Sequence, residues 1–252
     1  MSDATLRHWT ASDGVELAFH EIGEGRAVVL LHGLFSSAEM NWMKFGTAAR
    51  IAESGFWVIM PDLRAHGASG KPHDAACYPP GVLARDLREL VEHLKLESFD
   101  LGGFSLGGRT VVEAVGKGLK PGKAVLGGMG LEGLHGWESR KRFFLDAIDE
   151  YDSAARGNPH WLSIQFMKTM KVDREAAALL LKSFADVDEA WLNGFTMPTL
   201  VVCGSEDHDN GSGRALAEAL PDAVYREVPG THMSSVTKPE LGRVIASFLP
   251  SA

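Results

Sequence analysis

The chain has 252 residues, 45% of them hydrophobic and 23% charged, the balance of a protein that buries a real core and has no disordered composition. Its 25 Lys and Arg against 33 Asp and Glu leave a formal net charge of −8, which argues against a nucleic-acid partner, because that role needs a basic face. No run approaches the roughly 18 uncharged apolar residues of a membrane helix, so no membrane partner is expected.

At the start of the chain Asp3, Arg7 and His8 interrupt any apolar leader; no secretion signal is expected, and a cytoplasmic location follows as the default. Residues 5–10 and 15–21 flank Ser12-Asp13-Gly14, a turn signal, and predict an antiparallel hairpin. Ala27-Val28-Val29-Leu30-Leu31 is a continuous apolar run ended by His32-Gly33, the pattern of a strand buried on both faces. Similar runs recur at 56–60, 99–102, 124–126 and 199–203, with 224–228 as a last strand. Helical spacing fills the gaps. One helix is predicted over 41–54, with Trp42, Phe45, Ala49 and Ala52 on one face. Others are predicted over 82–96, 107–117, 212–220 and 239–248. Strands alternating with helices predict an α/β protein with a mostly parallel central sheet covered on both faces.

Residues 131–192 break the alternation. They hold no convincing strand and are rich in large apolar side chains, among them Trp137, Phe143, Phe144, Trp161, Phe166 and Met167. The reading is a single domain, with core segments 1–130 and 193–252 and an inserted helical lid over 131–192. The plainer alternative is a helical subdomain whose aromatics are simply core. The two cysteines, Cys77 in a proline-rich loop and Cys203 in an apolar run, make neither a disulfide framework nor a paired zinc spacing.

Gly103-Phe104-Ser105-Leu106-Gly107 carries the chemistry. It follows a strand-like run and opens a helix, so Ser105 would sit on a sharp strand-to-helix turn. Such a turn is strained and crowded, and small residues on either side relieve it. No Lys-Ser or Lys-Thr pair follows the glycines, so a phosphate loop is not indicated.

A serine hydroxyl needs a base to take its proton and an acid to orient that base. His232 is the candidate base: it follows a strand that ends at Val228-Pro229-Gly230 and precedes the last helix. The other loop and surface histidines read as solvated or satisfied. Asp207 is the candidate acid, at the carboxyl end of strand 199–203, with Glu206 and Asp209 as close rivals and Glu132 a more distant one. Asp207-His208-Asp209 could suggest a metal, but no third ligand cluster stands elsewhere in the sequence, so no metal is expected.

These stretches, together with Leu30-Leu31-His32-Gly33-Leu34, Pro61-Asp62-Leu63-Arg64-Ala65-His66-Gly67-Ala68-Ser69, Gly204-Ser205-Glu206-Asp207 and Gly230-Thr231-His232, resemble the α/β-hydrolase family over nearly the whole chain. The resemblance implies an oxyanion hole made by two backbone N–H groups, of Leu106 and of Leu34, with Phe35 as fallback for the second. It implies structural roles for His32 and His66, and Ala65 departs from the Gly many relatives carry there. It also implies a serine hydrolase without a cofactor.

Phe35, Trp137, Phe144, Trp161, Phe166 and Met233 are candidate pocket residues, and their apolar character points to small or medium carboxylic esters as the small-molecule substrate. Thioesters, lactones and acyl transfer to peroxide remain open, as does a small-ligand receptor on the same scaffold. Similar enzymes that open epoxides or remove halide use an Asp nucleophile, against which Ser105 speaks. Oligomeric state is not legible.

Overall fold

In the computed structural model, residues 4–250 are described; Met1–Asp3, part of the stretch read for a leader, and the last two residues lie outside the described residues. Eight strands form one sheet: β1 (Thr5–Thr10), β2 (Glu16–Ile22), β3 (Arg26–Leu31), β4 (Phe56–Pro61), β5 (Phe99–Phe104), β6 (Ala124–Gly127), β7 (Thr199–Gly204) and β8 (Ala223–Val228). Their order is β1-β2-β4-β3-β5-β6-β7-β8. The hairpin pairs Thr5 with Glu21 and Thr10 with Glu16, and β2 runs antiparallel to β4; the remaining neighbours are parallel. The fold is therefore α/β, with a mostly parallel sheet.

The central strands are buried on both faces because helices cover both. One layer packs α2 (Val82–His93) and α3 (Leu106–Gly116) around Leu31, Leu101, Leu126 and Val201. On the other face, α1 (Thr47–Glu53) and the last helix meet Val28, Leu30, Val58 and Val202. The helix predicted over 41–54 is not continuous. A π-type turn at Glu39–Met43 is separated from α1 by Gly46, whose φ of 79° is left-handed and ends the first turn.

Between β6 and β7 stand α4 (Trp137–Asp149), α5 (Trp161–Thr169) and α6 (Arg174–Lys182), with 3-10 turns at Leu131–Leu134 and Glu189–Gly194. They share a small apolar core of their own: Trp137, Ala147, Ile164, Met167, Ala177 and Leu181, joined by Phe35 from the loop after β3. After β7 come α7 (Gly213–Ala219), β8, the single turn α8 (His232–Ser235) and α9 (Pro239–Phe248). No helix among the described residues is long and apolar enough to cross a membrane.

Candidate active site

Ser105 joins β5 to α3 with φ 53° and ψ −114°, a left-handed backbone that a non-glycine residue adopts only when its surroundings enforce it. The enforcement is visible. Its N–H donates to the Gly127 carbonyl at 2.8 Å, and its own carbonyl accepts from Arg109 N–H at 2.9 Å. A Cβ at Gly103 would overlap the Gly107 carbonyl, and one at Gly107 would overlap the Leu31 carbonyl. The two glycines of the motif are therefore required by close backbone approach. The turn aims Ser105 into a cavity and places it at the N-terminal, partly positive end of α3.

His232 lines the same cavity. It is the first residue of α8, held by Thr231 and Ser234, whose side chains cap each other's backbone N–H. Its Nδ1 lies 2.9 Å from Asp207 Oδ2, and the Asp207 side chain is 2% exposed. Of the rival acids, Asp209 instead donates its N–H to Asp207 Oδ1 at 3.2 Å, Glu206 is exposed, and Glu132 accepts the Ser212 N–H at 2.7 Å. The hydrogen bond to His232 singles out Asp207. Asp207, Asp209 and His232 do offer three potential ligand atoms within 4.8 Å, so the third ligand that the sequence did not show is His232 itself. Binding there would compete with the 2.9 Å His232–Asp207 bond, which draws on the same two side chains.

The loop after β3 is pinned by buried polar groups. His32 Nδ1 donates to the Gly33 carbonyl at 2.7 Å while its Nε2 accepts from Leu63 N–H at 2.9 Å. His66 Nδ1 donates to the Arg64 carbonyl at 2.9 Å and its Nε2 accepts the Phe35 N–H at 3.0 Å. Each ring thus carries its proton on Nδ1 and is neutral. Burial pulls both pKa values down, that of His66 to about 3. Asp62 accepts the N–H groups of Ala38 and Ala68, both at 2.8 Å; despite its burial, contact with His20 and those N–H bonds keep its carboxyl well below the usual range.

This network leaves the N–H groups of Leu34 and Phe35 in different states. The Phe35 N–H is committed to His66, the Gly33 N–H to Asn41 Oδ1 at 3.1 Å and the Ser36 N–H to the Gly33 carbonyl at 3.2 Å. Within this stretch the Leu34 N–H is the one the fold does not use. The Phe35 side chain, on a left-handed backbone of φ 60°, goes upward to meet Phe144 edge-on at 5.6 Å between ring centroids.

The cavity has a volume of about 780 Å³. Leu34, Leu106, Phe35, Trp137, Phe144, Phe166 and Met233 all line it. Trp161 does not. It is the first residue of α5, and that helix turns Leu162, Ser163 and Phe166 to the cavity instead, leaving Trp161 half-buried elsewhere. Reading the sequence missed Arg109 and Arg140, both in the lining. A signal existed for the first: Arg109 lies four residues after Ser105 in the first turn of a largely apolar helix, hence on the face nearest the serine.

Comparison with known proteins bears on the family and the fold. A family model of the alpha/beta hydrolase fold matches residues 26–185. An epoxide hydrolase of Caballeronia sordidicola is 37% identical over 97 residues, which are 38% of this chain and 29% of that protein, so the match spans less than a third of the relative. A non-heme chloroperoxidase, CPO-A1, of Kitasatospora aureofaciens is 25% identical over 88% of this chain and 90% of its own. The structure of the enol-lactonase from Burkholderia xenovorans LB400 superimposes with a TM-score of 0.77 at 22% identity, covering 97% of this chain and all of that one. At that identity the superposition speaks for the fold alone. With most of its length matched by the family model and an eight-stranded sheet of the corresponding kind, the chain belongs to the α/β-hydrolase family.

Proposed function

We propose that this protein is a serine hydrolase that cleaves small to medium, largely apolar carboxylic esters through an acyl-enzyme on Ser105. The observation that carries the reading is the convergence of Ser105 and His232 on one mostly apolar cavity, with Asp207 bonded at 2.9 Å to the far nitrogen of His232. Nδ1 held by a buried carboxylate leaves Nε2 to accept the serine proton, and the carboxylate stabilises the imidazolium that forms. Ser105 Oγ then attacks the ester carbonyl. The N–H groups of Leu34 and Leu106 receive the developing oxyanion; Leu106 is the first residue of α3, where helix geometry supplies no acceptor for that N–H. His232 passes its proton to the departing alcohol, and water, activated by the same histidine, releases the acid. Residues 131–192 form the lid over this site.

The test is hydrolysis of p-nitrophenyl esters from acetyl to decanoyl by the wild type and Ser105→Ala. Turnover by the wild type with a loss of about 10⁴-fold or more in the variant supports the reading; equal activity in both removes Ser105 from the mechanism. The chloroperoxidase relative, matched over 88% of this chain, favours a second reading in which the same acyl-enzyme is intercepted by hydrogen peroxide to give a peracid. Adding peroxide to the ester assay and trapping peracid distinguishes the two.

A further inference from the structure

The cavity lining contains two guanidinium groups, of Arg109 and Arg140, against one carboxylate, that of Asp209. In a chain of net charge −8 this local excess is unexpected. Arg109 is 5% exposed, yet among the described residues its side chain is bonded to a backbone carbonyl and not to any carboxylate. It donates Nη2 to the Ala185 carbonyl, stacks on the Trp137 ring at 5.1 Å, and its Nε is buried without a partner. A buried guanidinium left in this state is costly, and the cost falls when a carboxylate enters, because a fork of N–H donors matches two oxygens. Burial lowers its pKa to about 10 against the opposing, more distant charges of Glu113 and Asp186, and the nearby charge of Arg140 adds to the lowering. Arg140 is tied through neutral acceptors, Asn210 Oδ1 and the Asp209 carbonyl, and so keeps its charge uncancelled by a direct ion pair.

We propose that Arg109, assisted by Arg140, forms an anion subsite in the cavity, and that the preferred substrates are esters whose acyl part ends in a second, ionised carboxylate. This rests on the acyl-enzyme reading above and narrows its substrate class. The acyl chain would run from Ser105 along the apolar lining of Phe144 and Phe166 and end on the Arg109 side, four residues along α3 from the nucleophile.

The experiment compares mono-p-nitrophenyl glutarate with p-nitrophenyl valerate, which share a five-carbon acyl chain and differ in the terminal carboxylate. The expected kcat/KM ratio favours glutarate by about 10- to 100-fold, the worth of one charge-assisted hydrogen bond, mainly through KM. That ratio collapses toward one in Arg109→Met and shrinks in Arg140→Met. Arg109→Lys keeps the charge and tolerates the packing if the methionine variant does not fold, and it retains part of the preference. Equal turnover of the two esters, or a preference that survives both substitutions, overturns the subsite. If neither ester is cleaved, the acyl-enzyme reading has failed, and binding of free glutarate then decides the subsite separately. Calorimetric binding that weakens in Arg140→Met supports it, and no binding overturns it.

Discussion

The floor and the roof of the cavity are built by different forces. The floor, made by the serine turn and the loop that begins at His32 and braced from behind by residues 62–69, is held by directional bonds between buried and part-buried groups: His32 to Leu63, His66 to Phe35, and Asp62 to Ala38 and Ala68. Each bond has one acceptable geometry, and leaving any of those groups unpaired would cost about 1–3 kcal/mol. The roof, α4 to α6, is held chiefly by a small apolar cluster with Phe35 driven into it from below. Apolar packing is non-directional and tolerates exchange of similar side chains. For the proposed reaction the difference implies a division of labour: the floor would position reacting atoms, and the roof would choose what fits between them. Side chains at the edge of the roof are accordingly left open, with Leu162 75% exposed although it lines the cavity.

The largest effect should come from the buried carboxylate behind His232, which lies beside the floor and bonds to that histidine. Asp207→Asn keeps the shape of the site but offers His232 Nδ1 an amide in place of an anion. We expect kcat to fall by about 10⁴-fold on the best ester, with stability changed far less, measured by initial rates and thermal unfolding side by side. A fall smaller than tenfold would move the acid role to Asp209.

Acid should loosen the floor before the roof. His66 is neutral when folded, with its pKa lowered to about 3 against an ordinary 6.5, and His32 is shifted in the same direction. The unfolded chain therefore binds these protons more readily. The stability that neutrality confers is complete above pH 6.5 and is lost as pH falls from there toward 3. For His66 alone the loss at pH 5 is on the order of 2 kcal/mol. Urea unfolding at pH 7.5 and pH 5 checks this; an unchanged midpoint would mean that the histidines do not hold the loop.

The smallest effect belongs to the roof. Leu162→Ala should alter stability by no more than about 0.5 kcal/mol, since the side chain is mostly exposed. It should still lower kcat/KM for the longest accepted acyl chain by about two- to fivefold while sparing acetyl esters, the worth of roughly one apolar contact. A uniform loss across chain lengths would instead tie the roof to the chemistry and weaken the contrast.

Much of this molecule is legible without its coordinates, wherever the deciding signal is local. Continuous apolar runs such as 27–31 and 199–203 name the buried strands, because a strand covered on both faces has no polar side to alternate with. The glycines around Ser105 announce a crowded turn, and the position of His232 after the last strand follows from chain order. Gly46 splits a helix that periodicity alone runs through, because the apolar spacing continues on both sides of the break. What the tertiary structure decided is which groups meet across distance. Asp207 is chosen over Glu206 and Asp209 by one bond to a residue 25 positions away, and the Phe35 N–H is taken by a ring 31 positions away. Trp161 faces off the cavity through the rotational setting of α5, and Arg109 meets the Trp137 ring and the Ala185 carbonyl, a contact 76 positions away. Backbone preferences and hydrophobic period are written residue by residue. Partner choice among equivalent polar groups depends on a loop register and a helix rotation that only the closed fold supplies.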